Sequence, residues 1–126
     1  MLWRHFSLML LCWHPALFRE TDMIVAIVTF HLAQPATLAE ITKTFQVTAP
    51  KYQGMVGLLR KNYWMSEDGR RAGGIYVWAS RADAERVYTA EWNKMVESRY
   101  GSPPDIEYLH SPVMVDNRDG TISVAA

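Results

Sequence analysis

The run Met23 to Phe30, MIVAIVTF, constrains this chain more than any other segment, because it is rich in β-branched residues and both of its alternating sets are apolar. Successive side chains of a strand point to opposite faces. Ile24, Ala26, Val28 and Phe30 therefore form one surface and Val25, Ile27 and Thr29 the other. A strand of this kind is expected to be buried on both faces, with one layer of structure on each side.

The rest of the chain supplies the first layer. Thr37-Leu38-Ala39-Glu40 has the spacing of a capping box, and Leu38, Ile41 and Phe45 recur at helical intervals until Pro50, which is expected to end the helix. Gly54 and Gly57 bracket a turn. Leu58 to Met65 then alternates Leu59, Lys61, Tyr63 and Met65 against Leu58, Arg60, Asn62 and Trp64, the pattern of a second strand. Ser66 to Arg71 reads as a hairpin loop, and Gly73-Gly74-Ile75-Tyr76-Val77-Trp78 as a third strand antiparallel to the second. Ser80 and Asp83 cap a second helix, whose inward face is Ala84, Val87, Tyr88, Trp92, Met95 and Val96 and which stops at Gly101, Pro103 and Pro104. A last strand spans roughly Ile106 to Val115, with an edge position or a bulge at Ser111-Pro112. The tail beyond Asp116 reads as turn-like and short.

This order, β-α-β-β-α-β, is the split βαβ arrangement of an α+β, ferredoxin-like domain, a four-stranded antiparallel sheet with both helices on one face. The other face would be bare. Large open apolar faces are unusual in soluble monomers, so a second copy packed sheet against sheet is expected, giving a homodimer. The domain is expected to span 23–117, with 118–126 a tail. Residues 1–22 imitate the front of a signal peptide through Arg4, His5 and the run Phe6 to Trp13. That run is shorter than the roughly 20 apolar residues of a spanning helix, and no small-x-small cleavage site follows it. Met23 is read as the natural start, with 1–22 an over-extended gene start; a weak targeting segment or a partner-binding tail are the alternatives.

Thirteen Lys and Arg balance thirteen Asp and Glu. Without a basic excess, neither nucleic acid nor an anionic membrane is an expected partner. The lone Cys12 can form no internal disulfide, and no Cys/His cluster has metal-ligand spacing, which fits a cytoplasmic protein without a bound metal.

The stretch from Gly57 to Trp78, GLLRKNYWMSEDGRRAGGIYVW, is similar to the signature of YdhR-type proteins. Its pieces are a glycine, a strand carrying a lysine and an aromatic residue two places on, a short acidic loop, and Gly-Gly-Ile-Tyr opening the next strand. Lys61, Tyr63, Gly73, Gly74, Ile75 and Tyr76 occupy those places, and the similarity runs from about Met23 to Asn117. The chain departs from the pattern with Tyr63 where tryptophan is usual, and Trp64 matches no position of it. The resemblance implies a homodimeric α+β barrel and a monooxygenase acting with O2 but without flavin, haem or metal; together with the chain's supply of aromatic residues it makes small aromatic or polycyclic compounds the expected substrates.

Such chemistry sets demands that can be weighed residue by residue. An ionised phenol or anthrone can itself reduce oxygen, so the protein need supply a dry aromatic pocket, a base or donor beside the ionising oxygen, and room for O2. Lys61 either reaches solvent or is enclosed with a lowered pKa and steadies an anionic oxygen. Tyr63 shares its face and either donates to the same oxygen or serves the core. Trp64, Asn62, Tyr76, Trp78, Tyr88 and Trp92 are candidates for the pocket wall, against the plainer role of core packing. Tyr76 and Trp78 face Lys61 or turn away from it according to the hairpin register; a turn centred on Gly69 would pair Tyr63 with Ile75 and send them to the face of Asn62 and Trp64. His31 is a candidate base, as is His110, although neither has a carboxylate at a telling spacing. Gly73-Gly74 enters a strand and is no phosphate loop. Two competitors stand beside the monooxygenase reading. One is a non-catalytic dimeric module binding an apolar ligand; the other is a haem-binding barrel using His31 or His110, by analogy of fold.

Overall fold

Why β1 (Ile24–His31) lies inside a sheet is visible in its pairing: it is flanked by β3 (Arg71–Trp78) on one side and β4 (Asp105–His110) on the other, both antiparallel. In the computed structural model, which describes residues 23–125, β2 (Leu58–Met65) completes a four-stranded sheet of order β2-β3-β1-β4. The expectation for residues 1–22 lies outside the described residues.

α1 (Leu38–Tyr52) begins at the capping box, where Thr37 Oγ1 accepts from the Glu40 amide at 3.1 Å and Glu40 Oε1 accepts from the Thr37 amide at 2.9 Å. Ile41 and Phe45 are buried, whereas Leu38 is 66% exposed. Pro50 does not end the helix as expected. It sits in the last turn, where the one hydrogen bond it forfeits is minor, and the helix runs on to Tyr52.

The expected second helix is two. α2 (Arg81–Val87) is capped by Ser80, whose Oγ accepts from the Asp83 amide, and α3 (Ala90–Tyr100) by Thr89, whose Oγ1 accepts from the Trp92 amide. Thr89 holds extended backbone at φ −87° and ψ 172°, so the chain turns between the helices while apolar periodicity continues across the break. Gly101 then closes α3 at φ 102°, a left-handed conformation that glycine adopts without steric cost.

The expected last strand also divides. β4 ends at His110, and after Ser111-Pro112 the chain leaves the sheet to form a separate hairpin of β5 (Val113–Asp116) and β6 (Thr121–Val124). The tail expected to be turn-like thus contains a strand.

Ile24, Ala26, Val28 and Phe30 are buried beneath the helices together with Tyr76 and Trp78. On the opposite face Val25, Ile27 and Thr29 are half-buried, Ile75 is 41% exposed and Leu109 39% exposed. In the single chain, then, β1 is covered on one face and open on the other, the face for which a second copy is expected as the cover.

Candidate functional site

The hairpin register decides which side chains meet. Lys61 pairs with Tyr76, Tyr63 with Gly74 and Met65 with Ala72, so the hairpin axis falls between Asp68 and Gly69, one step from a turn centred on Gly69. The Gly69 amide donates to the Ser66 carbonyl at 3.0 Å, and Gly69 ends the turn at φ 73°. Directly paired residues of antiparallel strands share a face. Lys61, Tyr63, Tyr76 and Trp78 therefore lie together beneath the helices, while Asn62 and Trp64 pair with Ile75 and Gly73 on the open face. The expectation that Asn62 and Trp64 wall the same pocket as Lys61 is corrected by this register.

Lys61 is the centre of the arrangement. Its Nζ lies 3.4 Å from the ring centroid of Tyr52, 3.8 Å from that of Tyr63 and 4.4 Å from that of Tyr76. No ion pair with Lys61 forms among the described residues. Burial, helped by the neighbouring Lys51 charge, pulls its pKa from 10.5 down to about 7. The negative faces of the three rings draw the other way, favouring the ammonium. Such a lysine can exist in either protonation state at neutral pH.

The gap around it is also bordered by Phe30, Thr48, Trp92, Met95 and Arg99, and has room for little more than one water. Gly74 makes part of this room, since a Cβ there would come within 2.8 Å of the Tyr76 ring and 3.2 Å of Lys61 Cε. Tyr63 stacks on Phe45 at 4.4 Å between centroids. Its hydroxyl lies 2.8 Å from Thr48 Oγ1, and because Thr48 donates to the Phe45 carbonyl, Tyr63 is the donor of the pair. Burial raises the Tyr63 pKa, so its proton stays in place at neutral pH. Trp92 Nε1 donates to the Tyr52 hydroxyl at 3.2 Å, which fixes Tyr52 and leaves its proton free to point elsewhere.

Trp78 and Tyr88 lie farther along the same core. Trp78 Nε1 donates to the Tyr88 hydroxyl at 3.1 Å, and Tyr76 stacks against Trp78 with ring centroids 5.8 Å apart. Burial pushes the Tyr76 and Tyr88 pKa values far up, so both phenols remain neutral. The histidines lie apart from Lys61. His31, exposed on the open face, holds Asp105 through Nε2 at 2.7 Å, and His110 is exposed at the end of β4. The Asp105 partner is 74 residues away in the chain, which is why no spacing revealed it. Tyr52, Thr48 and Arg99 were missed as site residues. Tyr52 lies past Pro50, and the other two carry no motif.

No group of His, Cys, Asp or Glu among the described residues stands close enough to hold a metal, and no described helix is long and apolar enough to cross a membrane.

No family model and no curated protein sequence matches the chain. Solved structures do. The monooxygenase of ActVA-Orf6 from Streptomyces coelicolor, in complex with nanaomycin D, superposes with a TM-score of 0.55 at 22% identity over 72% of this chain and 88% of that one. The chain has the fold of the antibiotic biosynthesis monooxygenases. SnoaB, a cofactor-independent oxygenase from Streptomyces nogalater, gives a TM-score of 0.55 at 15% identity over 76% of this chain and 99% of that one. A protein of Caulobacter crescentus described as a candidate antibiotic biosynthesis monooxygenase gives 0.55 at 24% identity over 78% and 96%. At these identities the likeness establishes the α+β, ferredoxin-like fold.

Proposed function

We propose that this protein is a cofactor-independent monooxygenase of phenol- or anthrone-like compounds, working as a homodimer. The observation that carries the reading is the lysine enclosed by the rings of Tyr52, Tyr63 and Tyr76 in the gap between sheet and helices. The fold shared with oxygenases, one of them described as cofactor-independent, supports it, and the signature from Gly57 to Trp78 supports a YdhR-type assignment within that fold.

The chemistry follows from the lysine's two protonation states. Neutral Lys61 takes the proton of the substrate's acidic C–H or O–H, and the resulting ammonium lies beside the anion it has made. The anion gives electrons to O2. One oxygen atom is retained as a new carbonyl, two hydrogens leave the substrate, and the second oxygen atom departs with them as water. Tyr76 and Trp92 bound the space and exclude bulk water, so the oxygen anion is held by the Lys61 ammonium rather than by solvent. The Tyr63 hydroxyl assists by turning from Thr48 to the substrate oxygen. A ligand must displace the aromatic side chains that fill the gap in the free protein, so binding is expected to shift Tyr52 and Trp92. The open face of the sheet, with Val25, Ile27, Ile75, Val77 and Leu109, is the surface that a second copy would cover.

Dissolved oxygen followed without added flavin or metal, against a library of anthrones and acidic phenols under labelled O2, tests the reading. Uptake with one labelled oxygen atom in the product is expected. A folded protein that binds these compounds and returns them unchanged would instead be the non-catalytic binding module.

A further inference from the structure

The two charged side chains that border the aromatic gap are Lys61 and Arg99, and no carboxylate among the described residues joins them there. The described ion pairs, His31 with Asp105, Arg81 with Glu85 and Arg86 with Asp83, use neither cation. Arg99 lies in the last turn of α3, where a cation also suits the helix terminus. It stands at a junction. Besides the gap, it borders an outer groove lined by Leu32, Ala36, Ile41, Thr44 and Ser98, between the loop after β1 and the end of α3. Its neighbour Tyr100 lines both spaces and stacks on Phe30 at 4.2 Å between centroids, forming the partition between them. Arg99 and Tyr100 are adjacent in the chain and line both spaces, so a ligand that moves the ring also comes within reach of the cation.

Resting on the monooxygenase reading, we propose that the substrates are aromatic acids, whose carboxylate is bound by Arg99 at the junction while the ionising oxygen lies against Lys61. A gap with aromatic walls, the half-buried Lys61 inside it, the exposed Arg99 at its rim and no anion of its own is complementary, once its rings part, to a flat ligand carrying negative charge at two places. A guanidinium binds a carboxylate through paired N–H donors, which a neutral ester cannot reproduce. Arg99 is thus a specificity residue, and the groove beyond it accommodates substituents near the carboxylate.

The test is calorimetric titration of the full chain with a hydroxynaphthoic acid and with its methyl ester, under argon so that turnover plays no part. The acid is expected to bind at least about tenfold more tightly than the ester. Arg99→Gln should bring the acid to the ester's affinity without changing the ester, and Arg99→Lys should restore part of the preference. Equal binding of acid and ester by the unaltered protein, a preference that survives Arg99→Gln, or no binding of either compound would overturn the proposal. Oxygen uptake is measured separately. Absent uptake with intact acid preference would remove the monooxygenase reading and leave the anion site standing.

Discussion

The two faces of the sheet are made from alternate residues of the same strands, yet they solve different problems. Beneath the helices, Ala26, Val28, Tyr76 and Trp78 are essentially inaccessible, and Trp78 bonds Tyr88, Tyr63 bonds Thr48 and Trp92 bonds Tyr52, while Asn93 Oδ1 on α3 is buried without a partner. On the other face Ile75 and Leu109 remain substantially exposed among Asn62, Glu107 and the His31–Asp105 pair, and Trp64 Nε1 is buried without a partner. One face is finished within the chain and houses the only enclosed lysine among the described ion-pair and ring contacts; the other is half-finished, as a surface awaiting a second copy would be. The difference teaches that the packed core and the lysine ringed by tyrosines share one face, while the other is left open, where the proposed second copy would sit.

The sharpest way to break this division is Trp78→Ala. It removes a fully buried ring and should cost about 3–5 kcal/mol in denaturant unfolding. Tyr63→Phe removes the hydroxyl donor to Thr48 and should cost about 1 kcal/mol while slowing oxygen uptake. Ile75→Asp, one strand position from Tyr76 but on the open face, should change the stability of dilute protein by less than about 0.5 kcal/mol while reducing the mass in solution to that of one chain. If Ile75→Asp destabilised the chain as much as Trp78→Ala, or left a dimer intact, the contrast between the faces would fail.

A subtler effect comes from Lys61 and reads in pH. Its folded pKa, about 7, lies below the unfolded 10.5, so between these values the unfolded state binds more protons and stability rises with pH. Below about pH 7 the cost of holding the ammonium in the core is borne in full. Lys61→Met should remove this rise, leaving the profile flatter between about pH 7 and about pH 10, as chemical denaturation at several pH values would show.

Much of this was legible in the residues. MIVAIVTF announced a strand because its eight residues are short for a helix and rich in β-branched side chains. The capping box at Thr37 and the cap at Ser80 were readable because each is a local contact between residues three apart. What stayed hidden depended on longer reach or on half a turn of backbone. Thr89 interrupts the second helix without interrupting its apolar stripe, so periodicity alone ran straight through it. Pro50 lies close enough to the helix end to be tolerated, and assuming otherwise removed Tyr52 from view. The register, on which the whole site depends, turned on where the axis of a six-residue loop fell relative to Gly69, and a side-chain alternation that is apolar on one strand and mixed on the other leaves both choices open. Lys61 could be named from its place in the strand. The three rings around it could only be seen once β2, β3 and α1 were assembled.

The central claim is that Lys61, enclosed by tyrosines, takes the substrate proton that allows oxygen to react. It is tested most directly by oxygen uptake as a function of pH in the unaltered protein and in Lys61→Met, each with a substrate whose own ionisation lies well above neutrality. The account predicts a rate that rises through about pH 7 in the first and is lost in the second while its circular dichroism is unchanged. An uptake profile that is the same in both proteins would contradict it.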